Sequence, residues 1–206
     1  MPDRTERRLA GAIPVSYAPS MASTHPTALV ASKEVGEGTR IWAFVNILAG
    51  AKIGRDCNIC DRCFIENDVV LGDRVTHKCG VSLYDGLVLE DGVFVGPGVI
   101  FSNDPRPRSG QHLESYPRTL VREAASLGAG SILLPGITVG RFAMVGAGSL
   151  VTRDVPDFAL VYGSPAQVHG HVCRCANTLR FENGSTACSC GRRYARDASG
   201  VVVEAA

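Results

Sequence analysis

Residues 53–71 read IGRDCNICDRCFIENDVVL, with Ile53, Ile59, Ile65 and Leu71 spaced six apart. The spacing extends both ways. Val35, Ile41, Ile47, Ile53, Ile59, Ile65, Leu71, His77, Leu83, Leu89, Val95 and Phe101 share one phase, and eleven of these twelve are apolar. Four residues after each lies a smaller one: Thr39, Val45, Ala51, Cys57, Cys63, Val69, Val75, Val81, Leu87, Val93 and Val99. The position after the large residue is often Gly or acidic, as at Gly36, Gly54, Glu66, Gly72, Glu90 and Gly96. The period returns at Leu127, Leu133, Val139, Val145 and Val151.

A period of six fits neither an amphipathic helix nor one simple strand. It fits a short strand, a turn and the next short strand. Each such unit buries its apolar face only by stacking on the next coil, which is the logic of a β-helix. The large and small residues point inward. The Gly and acidic positions are expected at corners, where a positive φ is often required.

The rest of the composition agrees. The chain has 206 residues, one domain with room for a small appendage. Formal charge is +1, which points to neither nucleic acid nor a membrane surface as partner. Aromatics are scarce at 6% and 23 residues are Gly, which suits stacked short strands better than a helical bundle. No stretch approaches the ~20 apolar residues of a transmembrane helix, and the expected compartment is the cytoplasm. Residues 1–23 read as a loose N-terminal arm, charged first and then apolar but broken by Gly11 and Pro14.

The repeats stop after Phe101-Ser102-Asn103-Asp104 and resume at Leu127, leaving an expected loop at 102–126. Loops longer than ~12–15 residues are uncommon and usually functional. This one carries Asn103, Asp104, Arg106, Arg108, Ser109 and His112. A β-helix has no cleft of its own, so such an excursion is a natural place to build one.

These motifs resemble the left-handed β-helix hexapeptide acyltransferases over roughly residues 24–170. The resemblance implies triangular coils of three hexapeptides and a homotrimer. Phe-Ser-Asn-Asp followed by Pro107-Arg108-Ser109, with Leu83-Tyr84-Asp85-Gly86, is similar to motifs of bacterial nucleotide-sugar 3-N-acetyltransferases. The implied reaction moves the acetyl group of acetyl-coenzyme A to the 3-amino group of a dTDP- or UDP-linked sugar. Ser102 stands where Thr is usual, Tyr84 where Trp often appears, and His77 in place of an aliphatic residue. The resemblance implies Asn103 at the attacking amine, Asp104 as base or hydroxyl contact with His112 as the alternative base, and Tyr84, Asp85, Arg108 and His112 around the sugar. It also implies coenzyme A along Gly128, Gly146 and Ala147, with Thr152 and Arg153 at its phosphates. A guanidinium suits that contact. The alternatives are a scaffold without catalysis, an acyltransferase for another amine or hydroxyl, and a carbonic anhydrase with three His. The five histidines share no coil face, which disfavours the last.

The cysteines divide into two groups. Cys57 and Cys63 occupy the small inward phase and read as core hydrophobes. Cys60 and Cys79 are likewise not expected to hold metal. Cys173-Arg-Cys175 and Cys188-Ser-Cys190 lie either side of an Asn183-Gly184 hairpin signal in residues 171–206. Two thiolate pairs so placed suit a structural tetrahedral zinc in a small ribbon, although Cys-x-x-Cys is the usual spacing. Free thiols or disulfides are the alternative.

Overall fold

The computed structural model describes residues 22–197 and 202–205. Of the expected arm (1–23), all but Ala22 and Ser23 lies outside the described residues, and Ser23 already pairs with Arg40. Among the described residues there is no helix, and so none long and apolar enough to cross a membrane. Twenty strands of two or three residues run from Ser23–Thr24 to Leu150–Val151. Strands this short hold no structure alone, so each is fixed by its neighbours in the coils above and below.

The strands stack into three parallel faces, giving a β-helix of about eight coils. The first face carries Ser23–Thr24, Arg40–Ile41, Asn58–Ile59, Thr76–His77, Phe94–Val95, Ser126–Leu127, Met144–Val145 and Ala159–Gly163. The second carries Leu29–Val30, Asn46–Ile47, Phe64–Ile65 and Ser82–Leu83. Beyond a break in the ladder it continues as Ile100–Phe101, Ile132–Leu133 and Leu150–Val151. The third carries Glu34–Val35, Lys52–Ile53, Val70–Leu71, Leu87–Leu89, Thr119–Val121 and Thr138–Val139. Main-chain bonds join the coils, as from Asn58 N–H to the Val75 carbonyl (2.8 Å) and from Thr76 N–H to the Val93 carbonyl (2.9 Å).

Both inward phases are buried in one continuous core. Cys57 and Cys63 lie within it, their thiols 3.2 Å from the Gly72 and Lys78 carbonyls, and burial pushes Cys63 up to about 11. Neither thiol is prepared for reaction. The acidic corner residues accept main-chain N–H groups of the adjoining coil. Glu66 takes the Asp85 N–H and Glu90 the Glu123 N–H, each at 2.8 Å.

The corner geometry differs from the expected one. Positive φ falls three residues after the large inward residue, at Phe44, Asp56, Arg62, Arg74, Ala124 and Phe142 among others, not at the Gly and acidic position directly after it. Glycine at that position has another cause, the closeness of the next coil. A Cβ on Gly128 would sit 2.5 Å from the Ala147 nitrogen, and one on Gly146 would sit 2.7 Å from the Tyr162 Cβ.

The expected loop is shorter than 102–126. Thr119–Val121 already pairs with Leu87–Leu89 and, through Leu120 and Val121, with Thr138–Val139. Val121 holds the inward phase one repeat before Leu127. Along the first face the 18-residue steps Ile41, Ile59, His77, Val95 widen to 32 between Val95 and Leu127, so the coil absorbs 14 extra residues.

His77 stands between Ile59 and Val95 in the register, fully buried, and neither ring nitrogen has a partner. Burial pushes its pKa down from 6.5 to about 4. The folded chain therefore holds a neutral ring that the unfolded chain protonates. Stability is full above about 6.5 and falls as pH drops toward about 4. His77→Leu should raise stability by ~1–3 kcal/mol at neutral pH by removing unpaired polar atoms. It should also abolish an acid limb of roughly 3 kcal/mol. Urea unfolding at several pH values measures both; a variant with unchanged acid dependence would contradict the assignment.

Candidate active site

The chain departs from the coil at the corner where the second face turns toward the third, and the expected site residues distribute around that departure. Phe101 is the last inward residue; Ser102, Asn103 and Asp104 follow, all half-buried. The return is fixed at several points. Arg118 holds both Asp68 carboxylate oxygens at 3.1 Å, and Thr119 donates its N–H to the Gly86 carbonyl (3.0 Å). The Thr119 hydroxyl accepts the Gly136 N–H at 2.9 Å. These contacts reach both neighbouring coils, so the loop's two ends are set by the coil stack.

A small depression at this corner is lined by Tyr84, Asp85, Ser102, Asn103 and Pro117. The structure thus brings Asn103 together with Tyr84 and Asp85, which lie one coil earlier on the same side. Tyr84 is exposed, its ring tilted against Phe64 at 6.3 Å. Asp85 has a second task in the coil stack. Its carboxylate accepts the Asp68 N–H (2.6 Å) and its own N–H meets Glu66.

The remaining loop residues lie elsewhere. Asp104 accepts the Arg106 N–H at 2.8 Å, which closes a turn. Arg108 and His112 are exposed and do not line the depression; the Arg108 guanidinium meets the Pro107 carbonyl at 3.0 Å. Arg108 and Gln111 form an isolated bridge at the outer turn.

The residues expected at the cofactor occupy both edges of the strip Ile100–Phe101, Ile132–Leu133, Leu150–Val151. Gly128, Gly146 and Ala147 lie at the corner entering it, where main chain is exposed beside Ala147. Thr152 and Arg153 follow Val151 at the corner leaving it. Ser102, Leu134 and Thr152 stack there, joined through the main chain to Leu133 and Val151 at 3.0 Å. Asn103 and Arg153 therefore stand on one corner, two coils or roughly 10 Å apart along the axis.

Arg153 also lines a cleft of about 240 Å³ with Asp154, Gln167 and Val168. The far wall is the antiparallel hairpin Ala159–Gly163 and Ala166–Val172, where Tyr162 stacks on His169 with ring centroids 3.7 Å apart. Sequence reasoning did not single out Gln167 or Val168. The hairpin turns at Gly163-Ser164-Pro165-Ala166, and only its antiparallel pairing shows which residues face Arg153. A larger open groove of about 460 Å³ lies over the third face, lined by Val70, Glu90, Glu123 and Arg141. None of the expected site residues lines it.

The four C-terminal cysteines also meet. All four sulfurs lie within 4.8 Å of one another, the one such group of potential metal ligands among the described residues. The N–H of Arg192, followed by its guanidinium, holds Cys190 down at about 6.

The Bacterial transferase hexapeptide (six repeats) family matches residues 32–67. The chain is 53% identical over 178 residues to dTDP-3-amino-3,6-dideoxy-alpha-D-galactopyranose 3-N-acetyltransferase of Aneurinibacillus thermoaerophilus, covering 86% of this chain and 92% of that one. A solved Bacillus cereus structure assigned as an acetyltransferase is 26% identical with a TM-score of 0.54, over 76% of this chain and 81% of that one. A hexapeptide-repeat acetyltransferase of Vibrio cholerae O1 biovar eltor, solved with acetyl-coenzyme A, is 25% identical with a TM-score of 0.52. It covers 59% of this chain and 70% of that one.

The close approach at Gly128 makes a stability prediction separate from any cofactor role. Gly128→Ala should cost ~1–3 kcal/mol, because the obstructing atoms are main chain of the next coil. Ala147→Ser, on an exposed corner, should cost under ~0.5 kcal/mol. Parallel urea unfolding of the two variants checks the contrast.

Proposed function

The chain belongs to the hexapeptide-repeat acetyltransferases, and we propose that it acetylates the 3-amino group of a nucleotide-linked amino sugar with acetyl-coenzyme A. The observation that carries this reading is the 53% identity across 92% of a relative named for that reaction. That relative's dTDP-linked substrate favours dTDP over UDP as the carrier. Acetyl-coenzyme A also sits in the Vibrio cholerae structure. Its use as co-substrate supports the cytoplasm as the place of reaction.

The chemistry needs a neutral amine in line with the thioester carbonyl. The amine nitrogen bonds to the carbonyl carbon and negative charge gathers on its oxygen. The C–S bond then breaks, and the departing thiolate takes the proton that the nitrogen gives up. Holding the two substrates together can contribute ~7–11 kcal/mol, and one oxyanion donor ~2.7–4 kcal/mol. We assign the Asn103 side-chain oxygen to the amine N–H, with Tyr84 and Asp85 beside the sugar. Their shared depression supports this assignment. Arg108 and His112 then reach the sugar nucleotide from the exposed loop. Coenzyme A lies along Gly128, Gly146 and Ala147, with Thr152 and Arg153 toward its phosphates.

Asp104 is better suited to holding the loop than to taking the proton, since its carboxylate already receives the Arg106 N–H. A homotrimer completes the site, because one chain offers only a shallow depression at Asn103 and open flanks around it. Exposed Trp42, Phe44, Phe94 and Ile100 are available to such contacts.

Asn103→Ala should lower kcat/KM for a dTDP-linked 3-amino sugar by ten- to a thousandfold, or ~1.4–4 kcal/mol. Coenzyme A affinity should hardly change. Arg153→Ala should weaken coenzyme A, read by calorimetry, more than it lowers kcat. Asp104→Asn keeps an oxygen for the Arg106 N–H and should stay within about tenfold of wild type. Full activity in Asn103→Ala would move the amine contact to another residue, with His112 the next to test. Sedimentation at micromolar concentration should give a trimer, and a clean monomer would overturn the shared-site reading.

A further inference from the structure

The segments Cys173-Arg174-Cys175-Ala176-Asn177 and Cys188-Ser189-Cys190-Gly191-Arg192 fold alike. The Cys173 N–H reaches the Asn177 carbonyl and the Cys188 N–H the Arg192 carbonyl, each at 2.8 Å. The Ala176 N–H returns to the Cys173 carbonyl (2.8 Å) and the Gly191 N–H to the Cys188 carbonyl (2.9 Å). Ala176 and Gly191 both take the left-handed conformation, at φ 70° and 92°. Two stretches of different sequence thus make the same turn, and each aims two sulfurs at one point. Cys173 and Cys190 sulfurs lie 3.4 Å apart, Cys175 and Cys188 sulfurs 3.5 Å apart. Disulfide sulfurs stand only ~2.05 Å apart. Four thiolates around a zinc ion at ~2.3 Å are separated by about 3.8 Å.

The surroundings suit thiolates. The Tyr194 hydroxyl accepts the Arg174 N–H at 3.1 Å, which turns its own hydrogen toward the Cys173 sulfur, also at 3.1 Å. The Arg192 guanidinium lies 3.5 Å from the Cys190 sulfur. Such neighbours orient metal ligands and offset their charge. Glu204 binds Arg174 (3.1 Å) and Arg192 (3.4 Å), so the strand Val202–Ala205 is tied to both turns.

The cluster also touches the end of the β-helix. Phe158, on the last coil, shares a second core with Cys173, Leu179, Cys188, Tyr194 and Val202. Phe142 stacks on Phe158 at 5.3 Å, and Arg174 lies 4.4 Å over the Phe142 ring. A β-helix ends on an open coil that needs a cover.

We propose that Cys173, Cys175, Cys188 and Cys190 bind one structural Zn²⁺ that latches the C-terminal ribbon over the last coil. Four thiolates in a tetrahedron suit zinc and leave no open position, so this metal takes no part in acetyl transfer. The site stands independently of the proposed reaction.

The test uses the full chain purified without chelator. Elemental analysis should give about one zinc per chain. Cys175→Ser/Cys190→Ser removes the two exposed ligands and should lose that zinc while the far-ultraviolet circular dichroism of the β-helix persists. Wild type stripped by a strong chelator and reloaded with Co²⁺ should show the charge-transfer bands of a tetrathiolate. Trypsin should cut the ribbon at Arg180 or Arg192 at least tenfold faster in the stripped protein, and added zinc should restore resistance. Absence of zinc, iron in its place, or Co²⁺ spectra without thiolate bands would overturn the site. Zinc present but with proteolysis unchanged on stripping would overturn the latch.

Discussion

The structure depends on the distance between one coil and the next, the ~4.8 Å of a parallel ladder. Strands of two or three residues cannot satisfy their own main chain. Each N–H and carbonyl must therefore meet the coil above or below. This fixes what can stand in each column. Side chains pointing inward must fill a narrow prism, hence the alternation of Ile or Leu with Val, Ala or Cys. Residues just past the inward position meet the next coil's main chain so closely that Gly128 and Gly146 have no room for a Cβ. Corner carboxylates on Glu66, Asp73, Asp85 and Glu90 accept N–H groups left unpaired where the chain bends.

A stack under that constraint tolerates an insertion only at a corner, and only if both ends return to register. The Asn103 loop does so. It leaves after Phe101, and Thr119–Val121 resumes the third face against Leu87–Leu89. Its residues are free of the inward demand that governs the coils. That freedom is what allows Asn103 to lie beside Tyr84 and Asp85 without disturbing the core. On the same corner Arg153 begins a second cleft, closed by the hairpin that ends the coils. Asn103, proposed for the amine, and Arg153, proposed for the cofactor's phosphates, thus stand along one edge of the same strip of sheet.

The end of the stack faces a different problem, since nothing further stacks on the last coil. Here the chain changes from parallel to antiparallel pairing, through Ala166–Val172 and Thr178–Leu179. The strand Ala166–Val172 runs through the 170/171 position where a separate appendage was expected to begin. A small aromatic core on Phe158 and Tyr194 joins ribbon and coil; Cys173 and Cys188 are buried in it, with the exposed Cys175 and Cys190 beside them.

The period of six, and with it the β-helix, could be read from residues alone, because inward-facing positions repeat locally and each must be apolar whatever its neighbours are. The Asn183-Gly184 turn was readable for the same reason: both residues take positive φ, a preference local to the pair. The loop's end was placed too late because Leu120 and Val121 are equally apolar, and only pairing with Val88 and Leu89 tells which lies opposite which. The site of positive φ was misplaced because Gly serves two needs, and a sequence does not distinguish left-handed backbone from the nearness of another coil. Stacking alone decides which residues distant in sequence meet. Arg118 reaches Asp68 across fifty residues, Asn103 and Tyr84 line one depression, and four cysteines separated by a hairpin converge on one point. Sequence by itself determined the apolar period; the fixed spacing of the coils decided these meetings, since it brings together residues that no local preference relates.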